Sequence, residues 1–178
     1  MKAIQVKGRL WVLRTPEGCL YHDVDTDMIF HNRYLHITEL SQMGQYALDN
    51  LKGWADFAKQ ASSGDIILVG KNFGAGSSRQ QAVDCFQALG LGALVAESFG
   101  AIYKRNAINS GLPILMFPGL ADCAAQFATG DELTVNFETG ELVLDGEKTF
   151  QASPFSQVQM DIYQAGNLFA YGKSLASL

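Results

Sequence analysis

The sequence predicts one α/β domain spanning residues 1–178, built on a mostly parallel central sheet with an additional antiparallel β layer. Three observations lead there. Short apolar runs alternate with single helical stretches through the middle of the chain, the pattern of strands joined by crossover helices. Near residues 132–150, three short segments are separated by hairpin-type residues. A chain of 178 residues with no repeat, low-complexity tract or Pro/Ser-rich linker is long enough for one well-buried core and short for two.

The elements follow in order. MKAIQVKGRLWVL alternates apolar and polar residues from the start, as a half-buried strand does. A secretory signal would instead show a continuous apolar segment, so the expected location is the cytoplasm. Residues 38–51 read as a helix with Thr38 as N-cap and Leu40, Met43, Ala47 and Leu51 on one face. DIILVG (65–70), ALVAES (93–98) and PILMF (113–117) are buried strands. Between the first two, Ala82, Val83, Phe86 and Leu89 recur at helical spacing and Gly90 closes the helix. Between the second and third, Ile102, Tyr103 and Ile108 face inward and Gly111 ends the run. The segment ELTVNFETGELVLDGEKTF then gives three strands joined at Glu138, Thr139 and Gly140, and at Asp145 and Gly146.

Composition excludes some classes. A net charge of -5 argues against a nucleic-acid partner, which calls for a basic face. No apolar run reaches the length that spans a bilayer, so no membrane partner is expected. Cys19, Cys85 and Cys123 are odd in number and far apart, giving neither a disulfide framework nor a CxxC-type metal site. Cys85 falls on the apolar side of its helix and is expected to act as a small core residue. His22, His31 and His36 lack metal-ligand spacing and read as solvated loop residues, so no metal ligand is assigned.

The most informative stretch is GKNFGAGSSR, residues 70–79, which follows a buried strand and opens a helix. Gly74 and Gly76 allow a sharp turn and a close backbone approach to a ligand. N–H groups at a helix start favour an anion there, and Arg79 can clasp a carboxylate or phosphate with two parallel hydrogen bonds. The stretch is not a P-loop, because GxxxxGK[ST] is absent and Lys71 precedes the glycines. A dinucleotide fingerprint fits poorly as well, since its third glycine falls on Arg79. On spacing alone, an anion site and a plain capped turn, with Ser77 as N-cap and Arg79 solvated, stand level.

The surrounding words decide further. GKNFGAGSSRQQA resembles the GSSR signature of the swivelling domain of the aconitase superfamily, and SFGAIYKRNAINSGLPIL resembles the segment that follows it there. DVDTDMIFHNRYL, residues 23–35, is similar to that family's N-terminal D-x-x-T-D-x-I motif. TGDELTVNFETG and IYQAGNLFAY resemble the tail of its small subunits. The likeness runs in order along almost the whole chain, and points to the small subunits of the 3-isopropylmalate dehydratase and homoaconitase family.

That resemblance implies a single swivelling domain acting as half of a hydro-lyase. A large-subunit partner would carry a [4Fe–4S] cluster, with no cofactor bound by this chain. The substrate would be a small hydroxy-acid from which water is removed and re-added. Ser77 would be the base. Gly76, Ser78, Arg79, Thr26 and Arg33 would bind substrate, with Asp27 beside Thr26 read as a turn-forming residue. The loop Leu35, His36, Ile37 and Thr38 would meet the variable arm of the substrate. Leu35 or Ile37 suits an isopropyl group, and Arg33 or a protonated His36 suits a carboxylate. Because His36 is mostly uncharged at neutral pH, isopropylmalate is the expected substrate, in leucine synthesis. Homoaconitase and methylmalate-type dehydratases share the mechanism and form the second reading. The third is a non-catalytic anion-binding regulatory module, against which retention of Ser77 and Arg79 speaks. The chain departs from the family pattern, which usually has cysteine at Ala75, glutamate at Gln80 and histidine at Gln81. The last two could alter how Arg79 is oriented.

Overall fold

The computed structural model describes residues 1–176. A seven-stranded sheet organises them, in the order β4-β3-β2-β1-β5-β6-β7. β1 (Gln5–Val12), β2 (Ile66–Val69), β3 (Ala93–Ala96) and β4 (Ile114–Met116) run parallel. β5 (Glu132–Asn136), β6 (Glu141–Leu144) and β7 (Lys148–Gln151) are antiparallel and join at β1, where Gly8 pairs with Leu133.

The parallel strands are apolar on both faces because each face meets a different partner. On one face the crossover helices α4 (Gln81–Ala88) and α5 (Ala101–Asn109) supply Val83, Phe86 and Tyr103. 

On that side Ile67, Val69, Leu94 and Ala96 pack against these helices and against Phe30, Met43 and Leu48 from the N-terminal segment. On the other side Ile66, Leu68, Ala93, Val95 and Leu115 share a core with Leu133, Val135, Leu142 and Leu144. The antiparallel layer is therefore the continuation of the parallel sheet through β1, bent back over its second face. Asp145 (φ 50°) and Gly146 (φ 73°) make the tight left-handed connection between β6 and β7 that the sequence predicts.

Two expectations need correction. Residues 38–51 do not form one helix. α1 (Thr26–Ile29) is followed by a short α2 (Leu40–Met43), then a 3-10 turn at Gly44–Tyr46. The chain reverses at Leu48 (φ 62°), whose N–H donates to Ile29 O at 2.9 Å. Ala47, Leu48 and Leu51 are all fully or almost fully buried. Adjacent residues such as Ala47 and Leu48 reach one core more readily from a broken chain than from a helix, so burial overrides the periodicity. Thr38 consequently caps nothing, since α2 begins after Glu39, and Leu40 is 47% exposed. Ile102 is likewise exposed rather than inward, while Tyr103 beside it is buried.

The remaining helices are α3 (Phe57–Gln60), α6 (Leu120–Cys123), α7 (Gln157–Ala165) and α8 (Leu168–Leu175). Among the described residues no helix is long and apolar enough to cross a membrane. Cys85 is buried in the core, which pushes its thiol pKa up, as suits a packing residue.

Candidate active site

The site forms at the C-terminal end of β2, where two sequence motifs are laid side by side. Asn72 (φ 55°) and Asp23 (φ 53°) both adopt left-handed backbone, and Asn72 Nδ2 donates to Asp23 Oδ1 at 2.7 Å. Val24 O accepts from the N–H groups of Gly74 (2.7 Å) and Ala75 (3.2 Å), and Thr26 N–H donates to Ala75 O at 3.0 Å. Asp25 then caps α1 by accepting from Met28 N–H at 2.8 Å. Gly74 is required twice over: its φ is 78°, and a Cβ there would lie 2.1 Å from Tyr103 Cγ. Gly76 (φ 94°) is also left-handed, and continues the turn towards Ser77.

This pairing places Thr26 Oγ1 and Ser77 Oγ 3.1 Å apart. Thr26 is buried, whereas Gly76, Ser77 and Ser78 are exposed. Ser78 Oγ accepts from Asn106 Nδ2 at 3.2 Å. α4 begins only at Gln81, after an N-cap at Gln80 that makes no side-chain bond. Ser77 and Ser78 therefore do not cap the helix, and the plain capped turn that the sequence left open is not what forms. The backbone N–H groups of Gly76, Ser77, Ser78, Gln80 and Gln81 have no protein acceptor among the described residues. A run of such donors in a turn is suited to an anion.

Arg79 is not solvated either, with its side chain 13% exposed. Its Nη1 donates to Asp27 Oδ1 at 2.8 Å, Phe30 O at 2.6 Å and Thr26 O at 3.3 Å. Asp49 Oδ1 and Glu97 Oε2 are the buried side-chain atoms without a partner among the described residues. Nε and Nη2 of Arg79 also have none, so they are open to solvent and form an unused edge that can take a carboxylate side-on. Asp27 does accept locally, from Asn32 N–H at 2.9 Å, as a turn residue would. Its bond to Arg79 is the larger matter: that guanidinium holds the Asp27 carboxyl below its usual range, helped by the Asn32 N–H and by His31.

The two glutamines do not orient Arg79. Gln80 Nε2 turns away to Asp84 Oδ1 (2.7 Å) and Ser110 Oγ (2.8 Å), and no bond joins Gln81 to the guanidinium. The loop after α1 stands apart. Arg33 is 60% exposed, donates to Asp49 Oδ2 at 3.1 Å and lies over the Tyr34 ring at 4.7 Å. Leu35, His36 and Thr38 are exposed, while Ile37 is half-buried against the core. No hydrogen bond links residues 33–38 directly to residues 76–79 among the described residues; Arg79 reaches the chain just before that loop, at Phe30 O and through Asp27, which also accepts from Asn32 N–H. The histidines do more than expected of solvated side chains: His22 Nδ1 accepts from Lys71 N–H, and His31 Nδ1 from Arg33 N–H.

Sequence reading missed Asp27 as the partner of Arg79 and Asn106 as the partner of Ser78. The signal for Asn106 was its position three residues after Tyr103, on the helical face that meets the turn. Among the described residues no group of three or more His, Cys, Asp and Glu side chains could hold a metal ion. Cys19 is exposed, Cys85 buried and Cys123 half-buried, and all three are free. These residues do not fit an iron–sulfur cluster.

The aconitase C-terminal domain family matches residues 23–119, which include both motifs and α5. The 3-isopropylmalate dehydratase small subunit of Sulfolobus acidocaldarius is 41% identical over 150 residues, covering 84% of this chain and 90% of its own. The isopropylmalate/citramalate isomerase small subunit of Methanocaldococcus jannaschii is 38% identical over 169 residues, 94% of each chain. A crystal structure of 3-isopropylmalate dehydratase from Methanocaldococcus jannaschii superposes with a TM-score of 0.83 at 30% identity, covering 97% of this chain and 96% of that one. The agreement of the paired motifs, the whole-chain identity and the shared fold places this chain in the family of 3-isopropylmalate dehydratase small subunits.

Proposed function

We propose that this chain is the small subunit of a two-subunit hydro-lyase that interconverts 2- and 3-isopropylmalate by removing and re-adding water, as a step in leucine synthesis. The observation that carries this reading is the pairing of the two motifs, with Thr26 against Ser77 at 3.1 Å and Asp27 against Arg79 at 2.8 Å.

Ser77 Oγ, held as the alkoxide, takes the proton from the carbon next to a carboxylate as hydroxide leaves the adjacent carbon, and returns it in the reverse direction. A serine oxygen can hold negative charge only where donors already face it. Thr26 Oγ1, 3.1 Å away, donates to Ser77 once that oxygen is ionised, and the unpartnered N–H groups of the turn are close in sequence to it. Arg79 presents its Nε and Nη2 edge to a substrate carboxylate, and its fixed Nη1 keeps the reacting carbon in register with Ser77. The N–H of Gly76 and the hydroxyl of Ser78 complete the cradle. The open face of the turn is where a large subunit would close, and the [4Fe–4S] cluster expected on that subunit supplies Lewis-acid chemistry for the departing hydroxyl.

Arg33 and the loop Leu35, His36, Ile37 and Thr38 face the variable arm of the substrate. Arg33 is already paired with Asp49, and Leu35 is the exposed apolar side chain, so the loop favours an isopropyl group. A smaller methyl arm is the second reading, favoured by the relative named for both isopropylmalate and citramalate.

The test is reconstitution with the large subunit, followed by Ser77→Ala. The wild-type complex should hydrate the isopropyl substrate, and the variant should assemble normally but lose roughly a hundredfold to ten-thousandfold or more in kcat. Near-normal turnover by the variant would remove Ser77 from the chemistry. A stoichiometric cluster on this chain alone would overturn the division of labour between subunits.

A further inference from the structure

We propose that Asn106 is a positioning residue that turns the Ser78 hydroxyl proton towards a substrate carboxylate. The proposal rests on the functional reading above and adds to it a residue on a different helix. Asn106 Nδ2 lies 3.2 Å from Ser78 Oγ. An amide nitrogen can only donate, so Ser78 Oγ accepts and its own proton must point elsewhere. No second protein acceptor for that proton exists among the described residues. The neighbouring N–H groups of Gly76, Ser77, Gln80 and Gln81 are in the same position, so the hydroxyl adds one more donor to a cradle of donors.

The bond is held from both sides. α5 carries Tyr103 one turn before Asn106, and Tyr103 is buried with its hydroxyl donating to Ala82 O of α4 at 3.1 Å. Its ring fills the space left by the missing Cβ of Gly74 and packs edge-on to Phe73 at 5.4 Å. Residues i and i+3 share a helix face, so an anchor at Tyr103 fixes where Asn106 reaches the turn. Helix α5 is thereby keyed to the Gly74 side of the turn by packing and to the Ser78 side by a hydrogen bond.

The experiment compares Asn106→Ala, Asn106→Asp and Ser78→Ala, and the double variant Asn106→Ala with Ser78→Ala, in the reconstituted two-subunit enzyme with 3-isopropylmalate. Asn106→Asp keeps the shape but can only accept when ionised, so it draws the Ser78 proton to itself and sets a negative charge beside an anionic substrate. It should raise KM roughly tenfold to a hundredfold, more than Asn106→Ala does, with a smaller change in kcat. A structural role would rank the variants the other way, because Ala removes more packing. On the Ser78→Ala background, Asn106→Ala should add almost nothing. An undiminished second loss on that background, or an Asn106→Asp enzyme with lower KM than Asn106→Ala, would overturn the proposal. Ser77→Ala, read in kcat on the same assembly, tests the underlying functional reading separately.

Discussion

Two arginines of the proposed site are held in opposite ways. Arg79 is 13% exposed and its Nη1 has three acceptors, two of them backbone carbonyls. Arg33 is 60% exposed, with Asp49 as its carboxylate partner and an aromatic face beneath it. The same contrast runs through their surroundings. The turn at residues 70–79 is tied to residues 23–27 by backbone bonds, whereas Leu35 and His36 project from a short 3-10 turn at Asn32–Tyr34. The arginine proposed to keep a reacting carbon in register is anchored to a segment distant in sequence. The groups proposed to sort substrates by one arm rest on the surface, where a substitution disturbs little else.

The contrast can be broken most severely at Gly74. Gly74→Ala forces a Cβ into Tyr103 at a left-handed φ and should cost about 3 kcal/mol or more, read as a lower thermal unfolding midpoint. A midpoint equal to that of the wild type would mean that the turn is as adaptable as the loop. Arg79→Lys comes next: a point charge cannot serve three anchoring acceptors and a side-on carboxylate together, so KM should rise roughly tenfold to a hundredfold. Unchanged KM would take Arg79 out of substrate binding.

Replacing Leu35 and Ile37 by arginine should leave folding intact and shift the ranking of isopropyl-, methyl- and carboxylate-bearing substrates by roughly fivefold, since one methyl-sized contact is worth about 1 kcal/mol. Leu35 should contribute more than Ile37, which already packs on the core. An unchanged ranking would move specificity to the large subunit. The smallest effect is that of pH. The Asp27 carboxyl is held below the usual carboxylate range, so its pairing with Arg79 is present throughout that range and is lost only as pH falls through the depressed value. KM should therefore not vary on account of this pair between about pH 5 and 8. A rise in KM between pH 6 and 5 that Asp27→Asn abolishes would show that Arg79 does not hold this carboxyl down in the free enzyme.

Much of this was legible in the sequence, for local reasons. Buried strands with apolar residues on both faces, the glycine stops at Gly90 and Gly111, and the hairpin at Asp145 and Gly146 are written in consecutive residues. Residues 38–51 were misread because Leu40, Met43, Ala47 and Leu51 have helical spacing, while the burial of Leu48 beside Ala47 depends on a core assembled from distant segments. The position of the turn was clear, but the start of α4 was not, because serines that look like caps sit ahead of Gln80. The pairing of Asp27 with Arg79 spans 52 residues, and that of Asn106 with Ser78 spans 28; helical spacing marks the face that Asn106 shares with Tyr103, but single-sequence periodicity names neither partner.

The position of β1 between the parallel and antiparallel parts of the sheet bears on how the chain is made. Its parallel neighbour is close at hand: Arg9 reaches Asp65, 56 residues on. Its antiparallel side is bonded through Thr129, 117 residues beyond Val12. During synthesis the two paired motifs and the crossover helices can therefore assemble on β1 to β4 while the other edge of β1 still lacks its neighbour. An open strand edge invites pairing with the wrong chain. The window closes only when β5 emerges, so the last third of this protein decides whether the first two thirds reach their partner subunit or one another.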